Sequence, residues 1–340
     1  MWINKGRQGM IVRFDRCYEE EWDRFVLEKS INGCFLQTRN FLNYHRNGKF
    51  IDHSLLFYKG EKIVAVMPAN ELKNGELISH QGSTFGGIII REQFASIVNY
   101  DWIFAELYEY LAANHIKQLV IRTSNWLYYR KDIHIELLDY YYERNKFKVL
   151  SEVGFFIELD KITEGFEDEF ATLKKRKLKK AVKNKLLFKE LNSKREVTEF
   201  YDVLSDNMKK FGTVPIHSLE EMLEFKKQRL KDVVSFYGVY DQAEMIAGSM
   251  VFNFNKKRVF HTQYLASKQD KLEMCPNEFL YAHLIKEAKQ QGYRFLSYGT
   301  STLEHGEVLN RNLALYKEGF NTESYVNKAY ILKMENEIED

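Results

Sequence analysis

Residues able to do chemistry fall in five stretches of this chain. Tyr316-Lys317-Glu318-Gly319-Phe320 ends a helical pattern and sets an amine where it complements a helix C-terminus. His261, Gln263 and Tyr264 lie in the strand pattern VFHTQYLAS. His261 and Gln263 share one face, and either could carry a proton. Tyr264, three residues from His261, is expected on the opposite face of a regular strand. Thr300 and Ser301 end the strand pattern YRFLSYGTS, with His305 and Asn312 following, where a splayed strand end would open a pocket. His80, Gln81, Ser83, Thr84 and Gly86 sit in the loop SHQGSTFGG, whose glycines permit positive φ and close backbone approach. Its polar side chains suit a small-molecule substrate pocket. Lastly, residues 174–185 contain eight Lys or Arg. On a helical wheel Phe170, Leu173, Leu178, Ala181 and Val182 share a broad side, opposite Arg176, Lys179, Lys180 and Lys183. That cationic stripe suits the phosphates of tRNA, of a nucleotide-linked acceptor or of a lipid head group.

Positioning these residues requires two similar domains. The first half predicts a strand, a turn at Lys59-Gly60-Glu61-Lys62 and a second strand, then a third strand over GELISHQG. A helix over 101–114, a strand over HIKQLVIRTS, a helix near 133–144 and two closing strands, FKVLSE and GFFIELD, follow. The second half repeats this order. VVSFYGVYDQAEMIAGSMVFNF is a hairpin and KKRVFHTQYLAS a third strand. PNEFLYAHLIKEAKQQG is a helix with Pro276 in its first turn and Gly292 at its C-terminal cap. YRFLSYGTS, a helix over 308–318 and the strand SYVNKAYILKM complete it, and residues 194–231 read as helical. IKQLVIRTS matches YRFLSYGTS, and YYYERNKF matches LALYKEGF. A period of about 160 residues is too long for a solenoid and implies a duplicated domain. The expected class is α+β: two tandem domains, 1–163 and 164–340, each a mixed, mostly antiparallel sheet flanked by helices.

Composition narrows the function classes. Fifty Lys and Arg against 48 Asp and Glu leave a net charge of +2, so the whole chain is no general polyanion binder. Three prolines exclude a Pro-rich linker. Cys17, Cys34 and Cys275 lack metal-ligand spacing and read as idle thiols of a reducing compartment, so no metal is expected. Neither a signal peptide nor a run of about 20 apolar residues is visible. The expected location is cytoplasmic, with peripheral membrane contact open.

The element order resembles the GNAT acyltransferase fold, and its duplication resembles the FemAB-like branch, which includes peptidoglycan interpeptide-bridge aminoacyltransferases. NGCFLQTRNFLNYH (32–45), the basic helix FATLKKRKLKKAVKNK (170–185) and LALYKEGFN (313–321) carry the likeness more locally. The resemblance implies transfer of an acyl or aminoacyl group to an amine of a cell-envelope precursor. It implies acceptor binding in the first domain and chemistry in the second, with an acceptor cleft between them. It also implies that the third strand lines the acyl site, that Lys317 stabilises an oxyanion or holds a phosphate, and that Gly319 lets the chain turn into its last strand. Lys317, His261 and Tyr316 are thus the candidate catalytic residues, with His80, Gln81, Ser83, Thr84, Gly86, Thr300 and Ser301 binding substrate. The Gly-rich pyrophosphate turn of acetyl-CoA-using members is replaced here by SKQDKLEMCPNEF. The donor therefore stays open between aminoacyl-tRNA, acyl-CoA and another acyl carrier. A ligand-binding duplicate without catalysis is the alternative outside enzymes.

Overall fold

The computed structural model describes residues 9–45, 48–132, 135–210 and 212–334. The chain forms two compact units, Met1–Glu152 with Val326–Asp340, and Val153–Tyr325. The division thus falls earlier than residue 163, and the C-terminal segment returns to the first unit.

The first unit holds β1 (Gly9–Arg13), β2 (Ile51–Asp52), β3 (Leu55–Lys59), β4 (Lys62–Met67), β5 (Asn70–Leu72), β6 (Glu76–Ser79), β7 (Ile89–Ile90) and β8 (Gln118–Arg122). Its helices are α1 (Glu19–Arg24), α2 (Arg39–Leu42), α3 (Ile97–Ala113) and α4 (Glu136–Arg144). Strands β1, β3, β4 and β7 pair antiparallel in that order. In a second sheet β6 pairs in parallel with β8. Tyr100, Ile103, Phe104, Leu107 and Leu111 recur at helical spacing along α3 and are buried, which seats α3 on the core.

Strand β9 (Lys148–Glu158) carries the chain into the second unit. There follow β10 (Leu187–Glu190), β11 (Val234–Asp241), β12 (Glu244–Phe254), β13 (Val259–Ser267), β14 (Phe295–Thr300), the small hairpin β15 (Thr302–Leu303) and β16 (Val308–Leu309), and β17 (Glu323–Lys333). Its helices are α5 (Thr172–Lys183), α6 (Lys194–Lys209), α7 (Leu219–Glu224), α8 (Pro276–Gln290) and α9 (Arg311–Glu318). The sheet order is β10-β11-β12-β13-β14-β9, antiparallel except for the parallel β13–β14 pair. Both units therefore pair their third strand in parallel with the strand after the helix, as the duplication requires. Ser193 with Glu196 and Ser218 with Glu221 form capping boxes that start α6 and α7. Pro276 opens α8, and Gly292, at φ +80°, follows it.

Several expected elements differ in detail. FKVLSE and GFFIELD are one continuous strand, β9, because Gly154 packs beneath the Tyr325 ring instead of turning the chain. The first long helix begins at Ile97, after Ser96, and Val308–Leu309 belongs to a hairpin, not to α9. The helical stretch 194–231 is interrupted between α6 and α7, around Pro215. The expected helix start near residue 133 lies outside the described residues. The first helical residue of the basic segment is Thr172, so Phe170 precedes the helix.

Candidate active site

Strands β13 and β14 pair over only three residues, Val259↔Phe295 to His261↔Ser297, and then part. Beyond that point β13 is bulged. His261 pairs with Phe252 and Tyr264 with Met250, so one extra residue intervenes on β13. Cross-strand partners share a face, and Phe252 and Met250 lie two apart. The bulge therefore puts His261 and Tyr264 on the same face, against the expectation from a regular strand. Tyr264 is engaged there by His217, with its OH 2.8 Å from Nδ1.

His261 Nδ1 lies 3.0 Å from Ser297 Oγ. The same hydroxyl accepts the Gly299 N–H at 3.2 Å and meets the Tyr325 OH at 3.3 Å. Burial, and after it the neighbouring Lys317 charge, push His261 down to about 3. Gly299 takes φ +69°, and a Cβ there would stand 3.5 Å from the His261 ring, so the position needs glycine.

Lys317 lies in the last turn of α9, where the dipole alone would favour an exposed cation. It is instead 4% exposed, with Nζ donating to Gly299 O at 3.0 Å and Thr300 O at 2.6 Å. Burial pushes its amine down to about 7. The hydroxyls of its chain neighbour Tyr316 and of Tyr298, Ser301 and Thr302 are buried without a hydrogen-bond partner. Burial raises the Tyr298 and Tyr316 phenols well above their ordinary value, so both stay O–H donors. The end of β14 thus supplies Lys317 with the Gly299 and Thr300 carbonyls, while Ser301, just after it, has an unpaired hydroxyl. The His305 side chain lies outside the described residues.

Gly319 differs from its expected role. Its φ is −61°, and the positive φ before β17 falls on Asn321, at +59°. Glycine gives Lys174 room, since a Cβ would stand 3.0 Å from Lys174 Cγ and the side chain would have to shift. Lys174 itself belongs to the basic helix but turns inward. It is 5% exposed, with Nζ 2.9 Å from Glu278 Oε1 and 3.1 Å from the centre of the Tyr316 ring. Burial pushes it down to about 8. The buried side of α5 is thus Lys174, Leu178 and Ala181, while Leu173 and Val182 face solvent, contrary to the wheel. Arg176, Lys179, Lys180 and Lys183 are exposed as expected.

In the first unit, His80 lines a cavity of about 500 Å³ together with Phe14, Glu19, His45, Phe50 and Asp52. Burial pushes both His45 and His80 down to about 4, so both rings are neutral. Behind the cavity, fully buried Arg39 bonds Asp52 and stacks with Cζ 3.4 Å from the Phe14 ring centre and 4.3 Å from that of Trp22. The rest of the loop is tied to neighbouring backbone and side chains. Gln81 exchanges hydrogen bonds with Asn70, and Ser83 Oγ donates to Phe85 O. Thr84 points to solvent. Gly86 lets the backbone touch Ser79, whose carbonyl oxygen would lie 1.6 Å from a Cβ. Only Gly87 takes positive φ, at +82°.

The sequence reading missed Ser297, Tyr325, Lys174 and Glu278. Glu278 had a signal, an acid in the first turn after Pro276. Ser297 had a weaker one, its alternation with Gly299 on β14. Among the described residues no group of three or more His, Cys, Asp or Glu is placed to hold a metal, and no helix is long and apolar enough to cross a membrane.

No family model and no curated protein matches the chain. Solved structures do. FemX aligns with a TM-score of 0.64 at 10% identity, over 95% of this chain and 97% of its own. L-PGS from Bacillus licheniformis aligns at 0.52 and 12% identity, over 81% and 82%. A tandem GNAT protein from the clavulanic acid biosynthesis pathway aligns at 0.53 and 7% identity, over 96% and 98%. At such identities the likeness speaks for architecture, and together with the repeated parallel strand pair it establishes that this chain has the tandem GNAT fold shared with FemX.

Proposed function

We propose that the protein transfers an acyl or aminoacyl group to an amine of a cell-envelope precursor, with chemistry in the second unit and acceptor recognition in the first. The observation that carries this reading is Lys317, a buried amine held by Gly299 O and Thr300 O where β13 and β14 part. In the reaction the acceptor nitrogen bonds to the donor carbonyl carbon and the π pair moves to oxygen. Collapse then breaks the ester or thioester bond, and the nitrogen gives up a proton. The Lys317 ammonium has three N–H groups. Two meet carbonyls, which leaves the third for the oxyanion. The neutral His261 ring, bonded to Ser297 Oγ, is the candidate for proton transfer, directly or through water. Tyr316, with its phenol protonated, is a further donor.

The donor end favours aminoacyl-tRNA or another acyl carrier over acyl-CoA. A pyrophosphate needs free amides at the start of the helix after the third strand. Here Pro276 has no N–H, and buried Glu278 sets a carboxylate in that turn. For the acceptor, the rings of Phe14 and Phe50 and the neutral His80 suit an amino sugar or peptide amine, nucleotide-linked or not.

The test offers one labelled set of amine acceptors to the purified protein with aminoacyl-tRNA, acyl-CoA or acyl carrier protein. Transfer from aminoacyl-tRNA or the carrier, and none from acyl-CoA, is expected. Transfer from acyl-CoA alone overturns the donor assignment. No transfer from any donor overturns the enzymatic one.

A further inference from the structure

The outer face of α5 combines two properties that packing does not explain. Arg176, Lys179, Lys180 and Lys183 are exposed, and among the described residues none forms an ion pair with an acid. At 3.6 residues per turn they fall within an arc of about 100°. Leu173, 51% exposed, and Val182, 58% exposed, border that arc on either side. Leu187, which opens β10 just beyond the helix, is 60% exposed. On the opposite face the buried Lys174–Glu278 pair and Ala181 hold the helix rigidly in place.

We propose that this face docks on an anionic lipid bilayer. Charge complementarity selects the partner's sign, and the attraction is local because the whole chain carries only +2. The aliphatic borders select a bilayer over nucleic acid. Cations meet head-group phosphates while flanking Leu and Val reach the acyl boundary. A nucleic acid would use the cations and leave the aliphatics in water. Nor does α5, with the sequence TLKKRKLKKAVK, carry an aromatic ring on which a base could stack.

The test is cosedimentation of the full chain with phosphatidylcholine vesicles, with or without phosphatidylglycerol, over a salt series, beside a filter-binding assay with unfractionated tRNA. The wild type is expected to bind only the phosphatidylglycerol vesicles, more weakly as salt rises. At about fivefold per surface cation, R176A/K179A/K180A/K183A should lose about a hundredfold or more. L173S/V182S should lose about tenfold and keep its salt dependence. All these side chains are exposed, so an unchanged melting temperature is expected to accompany both losses. Equal binding to both vesicle types, unchanged binding by the cation variant, or tRNA binding with no vesicle binding would each overturn the proposal. Neither assay scores acyl transfer, so a failure here and a failure of the proposed transfer reaction are told apart.

Discussion

Lys174 and Glu278 form an ion pair, Nζ to Oε1 at 2.9 Å, buried between α5 and α8. The same ammonium lies over the Tyr316 ring, so one side chain ties α5, α8 and α9 together. Removing Glu278 should be costly because it leaves the Lys174 charge buried without its carboxylate. Glu278→Gln is expected to lower the unfolding free energy by about 3 kcal/mol. The double variant K174M/E278L should recover most of that loss. Urea unfolding of the two variants checks this, and a double variant weaker than Glu278→Gln would refute it.

Lys317 sets a pH dependence. Its folded amine titrates at about 7, against an ordinary value of 10.5. Between those values the unfolded chain binds more protons, so stability rises as pH goes up through 7 toward 10.5. Lys317→Met should flatten that slope in thermal melts. If the ammonium stabilises the oxyanion, the transfer rate falls as pH rises through about 7, and Lys317→Ala loses about a hundredfold. A rate that instead rises through 7 would make the neutral amine a base and sink the oxyanion role.

Gly86 tests the close approach in the first unit. A Cβ there would meet Ser79 O at 1.6 Å, backbone that cannot swing aside. Gly86→Ala should cost about 2 kcal/mol or more by overpacking. Thr84→Ala, at an exposed position in the same loop, should change stability by less than about 0.5 kcal/mol. Chemical denaturation of both separates a packing role for Gly86 from a merely flexible loop.

Arg39 lies against the rings of both Phe14 and Trp22 and is bonded to Asp52, contacts that suit a planar guanidinium. Arg39→Lys keeps the charge but loses the stack, and should cost about 2 kcal/mol in thermal unfolding. A neutral outcome would mean that the stack contributes nothing beyond charge.

Much of the fold was legible. The hairpins, α8 with Pro276 and Gly292, and the repeated strand endings RTS and GTS follow local periodicity and turn chemistry, which short segments encode. The duplication follows because the same local patterns recur in the same order. Lys317 could be picked out as a candidate, but its burial could not, since the carbonyls that hold it come from Gly299 and Thr300 on another element.

What the sequence determined by itself was the alternation and periodicity of each segment, and so the two-domain α+β plan. Tertiary structure decided phase and partnership. The bulge on β13 turned His261 and Tyr264 to one face, which no count along a regular strand reveals. Glu278, about a hundred residues away in sequence, drew Lys174 inward and left Leu173 and Val182 outside. The segment from Val326 joined the first unit, where β17 pairs with β8. Each of these depends on contacts between residues far apart in the chain, and a local pattern carries no record of which distant group will arrive.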